Sequence, residues 1–423
     1  VFTFISFFTM LSSFGIYTIA IRELSKKPED ASIILGDVMV FTGAFSVFSG
    51  LLCIVISYIF GYEADILLGI KIAAIGMAIS FFTAPQVIFN AKLKMEHTVV
   101  GNVIRDILLL TFALYLSRMN AGFLAYIWSS LVASMGTALY TQIVGYRLVI
   151  PKFVLDINRY EKLFKASLPL GLSGIALYIY NYVDTIMLSK MTTMAMVGYY
   201  GVAYKFVFLG QLIPNAILIT LFPIFAKLNQ SDKPKAQRYF QYGFDSVLLI
   251  AVFLAACGIL FSRNVILLLF SPEYLPSGIP LTIFCVNFLF MFPNMLFSRY
   301  LISAGRQTEV FVFMVLSAGF NIAVNFWAIP RYGVIGAALT TAMSDIIFCA
   351  LSIRALYVKE KTIMSLTQGI KMILTAAALT LLGSLLQLHW GMELFLLSML
   401  YLFGTYLIRA FDYSSLKLLL QNI

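Results

Sequence analysis

The sequence predicts an all-α polytopic membrane protein, with two lobes of six helices in parallel repeat and two further helices at the C-terminus. Three observations predict it. Hydrophobic residues make up 61% of the 423 and charged residues only 11%, with a mean hydropathy of +0.94. A soluble chain of this size cannot hide that much apolar surface. Apolar runs of spanning length follow one another with short connections, and a chain that crosses a bilayer repeatedly satisfies its backbone through helices. Finally, F-T-A-P-Q-V-I-F at Phe82–Phe89 returns as F-M-F-P-N-M-L-F at Phe290–Phe297, an offset of 208 residues.

The spans are expected at Val1–Ile21, Ile33–Phe60, Ile66–Phe89, Val99–Leu116 and Gly122–Tyr146. After a basic linker come Ala166–Ser189, Ala195–Ala226, Tyr239–Phe261, Ser277–Ser298, Val310–Ile329, Gly333–Ile353, Thr367–Leu388 and Met392–Ile408. Lys and Arg sort by connection. Twenty-one, from Arg22 to Arg409 and Lys417, fall on one side, and only Arg118, Lys190, Arg263 and Arg331 on the other. The positive-inside rule makes the rich side cytoplasmic, and so clean a split supports the thirteen-segment reading. It also accounts for the net charge of +10 without a nucleic-acid partner. Val1 then lies outside. One helix upstream would return an intact N-terminus to the cytoplasm, where the C-terminus is also expected, and bring the total to fourteen.

A second echo, A-G-F-L-A-Y-I-W-S-S at Ala121–Ser130 against Y-G-V-I-G-A-A-L-T-T at Tyr332–Thr341, pairs Gly122 with Gly333. Six helices separate the copies, so both run the same way across the membrane. Such repeats imply two lobes with a site between them. The expected division is residues 1–150 for the first lobe, lacking its first helix, 151–360 for the second, and 361–423 for the two extra helices.

The stretch Arg159–Met191 carries polar residues inside an apolar run. At 100° per residue Ser167, Gly171, Gly174, Tyr178, Asn181 and Thr185 share one arc, with Asp184 on its shoulder. An acid in a membrane helix is costly unless it faces protein or water, and the arc reads as a wall of a transport pathway. Several chemistries are excluded. There is no G-x-x-x-x-G-K-[ST] loop. The two histidines, His97 and His389, are isolated, which leaves no metal site and no histidine-based catalysis. Cys53, Cys257, Cys285 and Cys349 are scattered through apolar segments as small core residues.

The architecture resembles the polysaccharide-type flippases (the Wzx family) of the multidrug/oligosaccharidyl-lipid/polysaccharide exporter superfamily. The resemblance is carried by F-F-T-M-L-S-S-F-G-I-Y-T-I-A-I-R-E-L (Phe7–Leu24), Tyr160–Asp184, G-Y-Y-G-V-A-Y-K-F (Gly198–Phe206), S-P-E-Y-L-P (Ser271–Pro276) and I-P-R-Y-G-V-I-G-A-A (Ile329–Ala338). It implies no enzyme and no cofactor. What it implies is flipping of an undecaprenyl-diphosphate-linked oligosaccharide, such as an O-antigen repeat unit for lipopolysaccharide, to the outer leaflet of the bacterial inner membrane by alternating access. Membrane lipids and other surface-polysaccharide assembly proteins would be its neighbours. A cation-coupled drug exporter of the same superfamily is the alternative, and a membrane-embedded glycan polymerase or ligase ranks last, because the outer connections are short.

A diphosphate-linked glycan calls for a wet cavity with buried cations. Lys205, about 15 Å inside its helix at 1.5 Å per residue, is the leading candidate, with an ion pair to Asp184 as the structural alternative. Asp184 and Asn181 on the polar arc could meet sugar hydroxyls, Asp184 could carry a coupling proton, and Tyr178 could stack on a sugar ring. Arg105 could draw in the diphosphate or simply snorkel. Asp345 repeats the Asp184 case, and Asn321 and Asn325 form an i, i+4 stripe that lines the cavity or joins helices. Pro85 and Pro293, at matched repeat positions, and Pro214 are candidate hinges.

Overall fold

The computed structural model describes residues 2–407 apart from 93, 155, 363 and 386–388. Val1, Leu388, Ile408, Arg409 and Lys417, which mark expected segment ends or counted charges, lie outside the described residues. No strand occurs among the described residues. Among the described residues, twelve helical stretches are long and apolar enough to cross a membrane. One of them, Gln307–Glu360, is broken at Gly333 (φ 54°, ψ −130°) and supplies two passes, so the spans correspond to the thirteen expected segments. Contacts divide the chain into a unit of Val1–Ile179 and a unit of Tyr180–Ile423.

The first unit holds α1 (Phe2–Ser13), α2 (Ile16–Lys26), α3 (Ala31–Ile59), α4 (Ala64–Met77), α5 (Ser80–Thr83), α6 (Gln86–Ala91), α7 (Met95–Arg118), α8 (Phe123–Leu148) and the first part of α9 (Ile157–Met191). The single helix expected at Val1–Ile21 is two, parted at Phe14 (φ 36°) and Gly15 (φ 75°). Left-handed backbone at Gly15 costs little, whereas at Phe14 it must be held by its surroundings. The surroundings are aromatic: the Phe14 ring stacks on Phe45 (5.3 Å) and Phe164 (5.9 Å). On α9, a Cβ added at Gly171 would lie 2.8 Å from the Phe14 ring, and one at Gly174 would strike Met10. This corrects the reading of the polar arc. Ser167, Gly171, Gly174 and Tyr178 are small or buried because α9 packs there on α1 and on the Phe14–Gly15 break. The same packing keeps the first part of α9 with this unit, which ends at Ile179.

The span expected at Ile66–Phe89 is broken into α4, α5 and α6. Pro85 precedes α6 and presses on α8, where a Cβ at Gly145 would collide with the proline ring. Its repeat counterpart behaves differently. Pro293 lies inside the unbroken α12, and Pro214 inside an unbroken α10, so the matched prolines do not make matched breaks.

The second unit continues α9 from Tyr180 and adds α10 (Met194–Ser231), α11 (Lys233–Leu269), α12 (Gly278–Ser303), α13 (Gln307–Glu360), α14 (Thr367–Leu385) and α15 (Trp390–Leu407). The α11–α12 contact is the most extensive in the chain. Gly258 lets the two backbones close, since a Cβ there would strike Cys285. Close approach through small residues is how helices associate where lipid removes the hydrophobic advantage. The two extra helices pack on α11, and the Tyr401 hydroxyl donates to the Leu249 carbonyl (3.1 Å). At the end of this unit rich in basic residues, Glu360 accepts from Arg306 and from Lys233 (3.3 Å), tying the α12–α13 turn to the start of α11. The Glu360 hydrogen bond raises the Arg306 pKa above the ordinary arginine value.

Candidate functional site: two buried carboxylates in the C-terminal unit

The second unit encloses two aspartates deep in its spans. Asp184 on α9 is 2% exposed and Asp345 on α13 is 4% exposed. Charge in such a place must be compensated, and among the described residues no Lys, Arg or His pairs with either one. Their partners are neutral. Asp184 accepts from the Tyr200 hydroxyl of α10 (3.1 Å), the Thr341 hydroxyl (2.7 Å) and the Asn325 amide (2.5 Å). Asn325 also donates to Asn321 (2.9 Å). Asp345 accepts from the Tyr180 hydroxyl (2.5 Å) and from Asn287 on α12 (2.6 Å), while Asn294 donates to its backbone carbonyl (2.8 Å).

The cluster holds more acceptors than donors. The amide oxygens of Asn287, Asn294 and Asn325 are buried without a hydrogen-bond partner. Asp345, Asn181, Asn287, Asn321, Thr341 and Tyr180 border a cavity of about 20 Å³, enough for one water or a small ion. Two carboxylates, three orphan oxygens and one such space make an environment short of positive charge. Such an environment can take up a proton or a monovalent cation.

The other expected site residues are placed as follows. Asn181 borders the cavity, and its carbonyl accepts from Tyr204 (2.9 Å). Lys205 does not join the cluster, so the ion pair with Asp184 is corrected to the neutral set above. Tyr200, Ala203, Val207, Leu218, Leu221 and Phe225 form the buried stripe of α10. Lys205 projects from the opposite side and is exposed, and the positions of Cβ atoms at Gly198 and Gly201 on the same side are open space. Tyr178 is corrected too. Its ring packs on Phe7 (5.4 Å) and its hydroxyl donates to the Thr3 carbonyl, which leaves no free face for a sugar. Arg105 pairs with its neighbour Asp106 (3.0 Å).

Sequence reasoning missed Tyr200, Thr341, Asn287 and Asn294. The two asparagines carried a signal: they are amides seven residues apart in an apolar run, on one face of α12.

The family model described as "Polysaccharide biosynthesis protein" matches residues 1–229, more than half of the chain. The chain belongs to that family. A second model, MatE, matches residues 169–327. The chain is similar to the "Probable flippase AglR" of Haloferax volcanii, 32% identical over 184 residues, which are 42% of this chain and 38% of that protein. It is also similar to the "Probable low-salt glycan biosynthesis flippase Agl15" of the same organism, 25% identical over 264 residues, 61% of this chain and 54% of that one. The chain thus spans about half the length, or less, of the curated relatives it matches. Among solved structures, "Lipid II flippase MurJ, inward closed conformation" superposes with a TM-score of 0.78 at 16% identity, covering 96% of this chain and 90% of that one. At that identity the likeness shows a shared fold.

Proposed function

We propose that the chain is a flippase for a lipid-linked glycan and that the Asp184–Asp345 cluster binds the ion that drives it. The observation that carries the proposal is the family match set on this bundle, whose second unit keeps two carboxylates buried with neutral partners only. A purely structural network has no need of spare acceptors. A site that alternately takes and releases a proton or a monovalent cation does need them. The similar proteins named as flippases, one of them of glycan biosynthesis, support the same class of cargo. An apolar groove of about 640 Å³ between α11 and α14, lined by Ala255, Ala256, Ile373 and Ala377 among others, suits a lipid tail better than a soluble drug.

In the finer form of the proposal the substrate is an undecaprenyl-diphosphate-linked oligosaccharide, an O-antigen unit or its equivalent. It moves by alternating access from the cytoplasmic to the outer leaflet of a bacterial inner membrane, alongside the proteins that make and polymerise it. Lys205, standing free on α10 beside two glycines, is the residue assigned to the diphosphate. No bond is made or broken, so the protein acts as a transporter and not as an enzyme.

The test uses a host deleted for its own glycan flippase and the full-length protein with Lys205→Ala or Lys205→Arg, with membrane abundance measured in parallel. Export of the glycan by the wild type and the arginine variant, with loss in the alanine variant, is expected. Export by the alanine variant at the wild-type level removes Lys205 from the site. Failure of the wild type, together with extrusion of a cationic dye, replaces the glycan reading with the drug exporter.

A further inference from the structure

The first unit contains an acid that the function above does not use. Asp37 lies six residues into α3 and is 1% exposed. One carboxylate oxygen is paired with Arg159 at the start of α9. The other, Oδ1, is buried without a hydrogen-bond partner. Such an oxygen costs free energy until a donor reaches it. The ground around it is built: the Lys152 amide donates to the Ser32 carbonyl (2.8 Å), and Gly36 has no room for a side chain because the Lys152 carbonyl fills the space. Asp37 borders a pocket of about 510 Å³ between α2, α3 and α9.

The pocket wall changes character along α9. Arg22, Glu23, Lys27, Asp30 and Asp156 line the pocket as well; along α9 itself Asn158 and Arg159, which holds Asp37, come first. Lys162 lies one turn further in, about 4.5 Å at 1.5 Å per residue, and has no ion pair among the described residues. Leu163 and Ala166 follow and are apolar. The order from the basic-rich end inward is therefore carboxylate, cation, apolar wall. A phospholipid with a primary amine has the complementary order of ammonium, phosphate and acyl chain. We infer that this pocket binds an aminophospholipid headgroup, with the ammonium donating to Asp37 Oδ1 and the phosphate on Lys162. The inference does not depend on the cargo of the transporter.

The experiment is native mass spectrometry of the full-length protein in detergent, with phosphatidylethanolamine, phosphatidylcholine or phosphatidylglycerol added singly. Phosphatidylcholine has the same phosphate and a quaternary nitrogen without N–H. A charge-assisted hydrogen bond to a buried carboxylate predicts about ten-fold better retention of the ethanolamine lipid. This comparison uses unaltered protein and is immune to folding defects. Asp37→Asn should bring the ethanolamine lipid down to the choline lipid's level. Lys162→Gln, at an exposed side chain, should weaken both lipids alike. Free O-phosphoethanolamine should compete, which marks the headgroup as the recognised part. Equal retention of the ethanolamine and choline lipids by the wild type overturns the inference. So does displacement of the bound lipid by a polyprenyl diphosphate at lower concentration, which would make the pocket a substrate vestibule.

Discussion

Neutralising the buried carboxylates separates an ion site from a structural knot. In Asp184→Asn the shape is kept. The introduced asparagine can still accept from Tyr200 or Thr341 with its oxygen, and its amide can be met by the Asn325 side chain turned over, because the Asn325 oxygen has no present partner. What is lost is the charge assistance of one or two hydrogen bonds, about 1–3 kcal/mol. Asp345→Asn behaves similarly toward Tyr180 and Asn287. The ion effect is of comparable size and opposite logic. A cation at one hundred times its Kd stabilises the folded protein by about 2.7 kcal/mol, and this increment should disappear in both variants. The assay is thermal unfolding in detergent, titrating Na+ against choline at constant ionic strength and then stepping pH in choline. The wild type should respond to one of the two and the variants to neither. An undiminished response in both variants, or a wild type indifferent to both ions, refutes the assignment.

Two further outcomes follow from packing. Gly171→Leu forces the Phe14 ring out of its stack on Phe45 and Phe164 and should cost about 1–3 kcal/mol; adding Phe14→Ala should recover part of that loss in the same unfolding assay, and additive losses would contradict the close-contact reading. Glu360→Gln removes the charge that gathers Arg306 and Lys233. With both cations partly solvated the cost should be about 1–2 kcal/mol, seen as a lower unfolding midpoint that high salt narrows.

The spans were legible because twenty apolar residues between basic connections have few other readings. The break at Gly333 was marked by I-P-R-Y-G, whereas the break at Phe14–Gly15 sits in an unbroken apolar run and is held by aromatic stacking from elsewhere. The two aspartates and the Asn321–Asn325 stripe were visible as polar atoms where lipid allows few. Their partners were only partly visible, since a tyrosine or threonine in a membrane helix is unremarkable until a carboxylate faces it. The orientation of Lys205 was not legible for a specific reason. In α10 the exposed and the buried sides are both largely apolar, so periodicity says nothing about which side a lysine takes. The first half of the α9 arc, Ser167 to Tyr178, was ambiguous for a similar reason, because glycine and serine mark tight helix packing as readily as a water-lined wall.

The central claim is translocation of a lipid-linked glycan, and reconstitution tests it most directly. Full-length protein is placed in liposomes carrying a labelled polyprenyl-diphosphate oligosaccharide, and the fraction of label open to an external glycosidase is followed after an ion gradient is imposed. The account predicts that the accessible fraction changes with the gradient in wild-type vesicles and stays at the empty-liposome value for Asp184→Asn. Wild-type vesicles that never depart from the empty-liposome value, under proton or Na+ gradients of either direction, would contradict it.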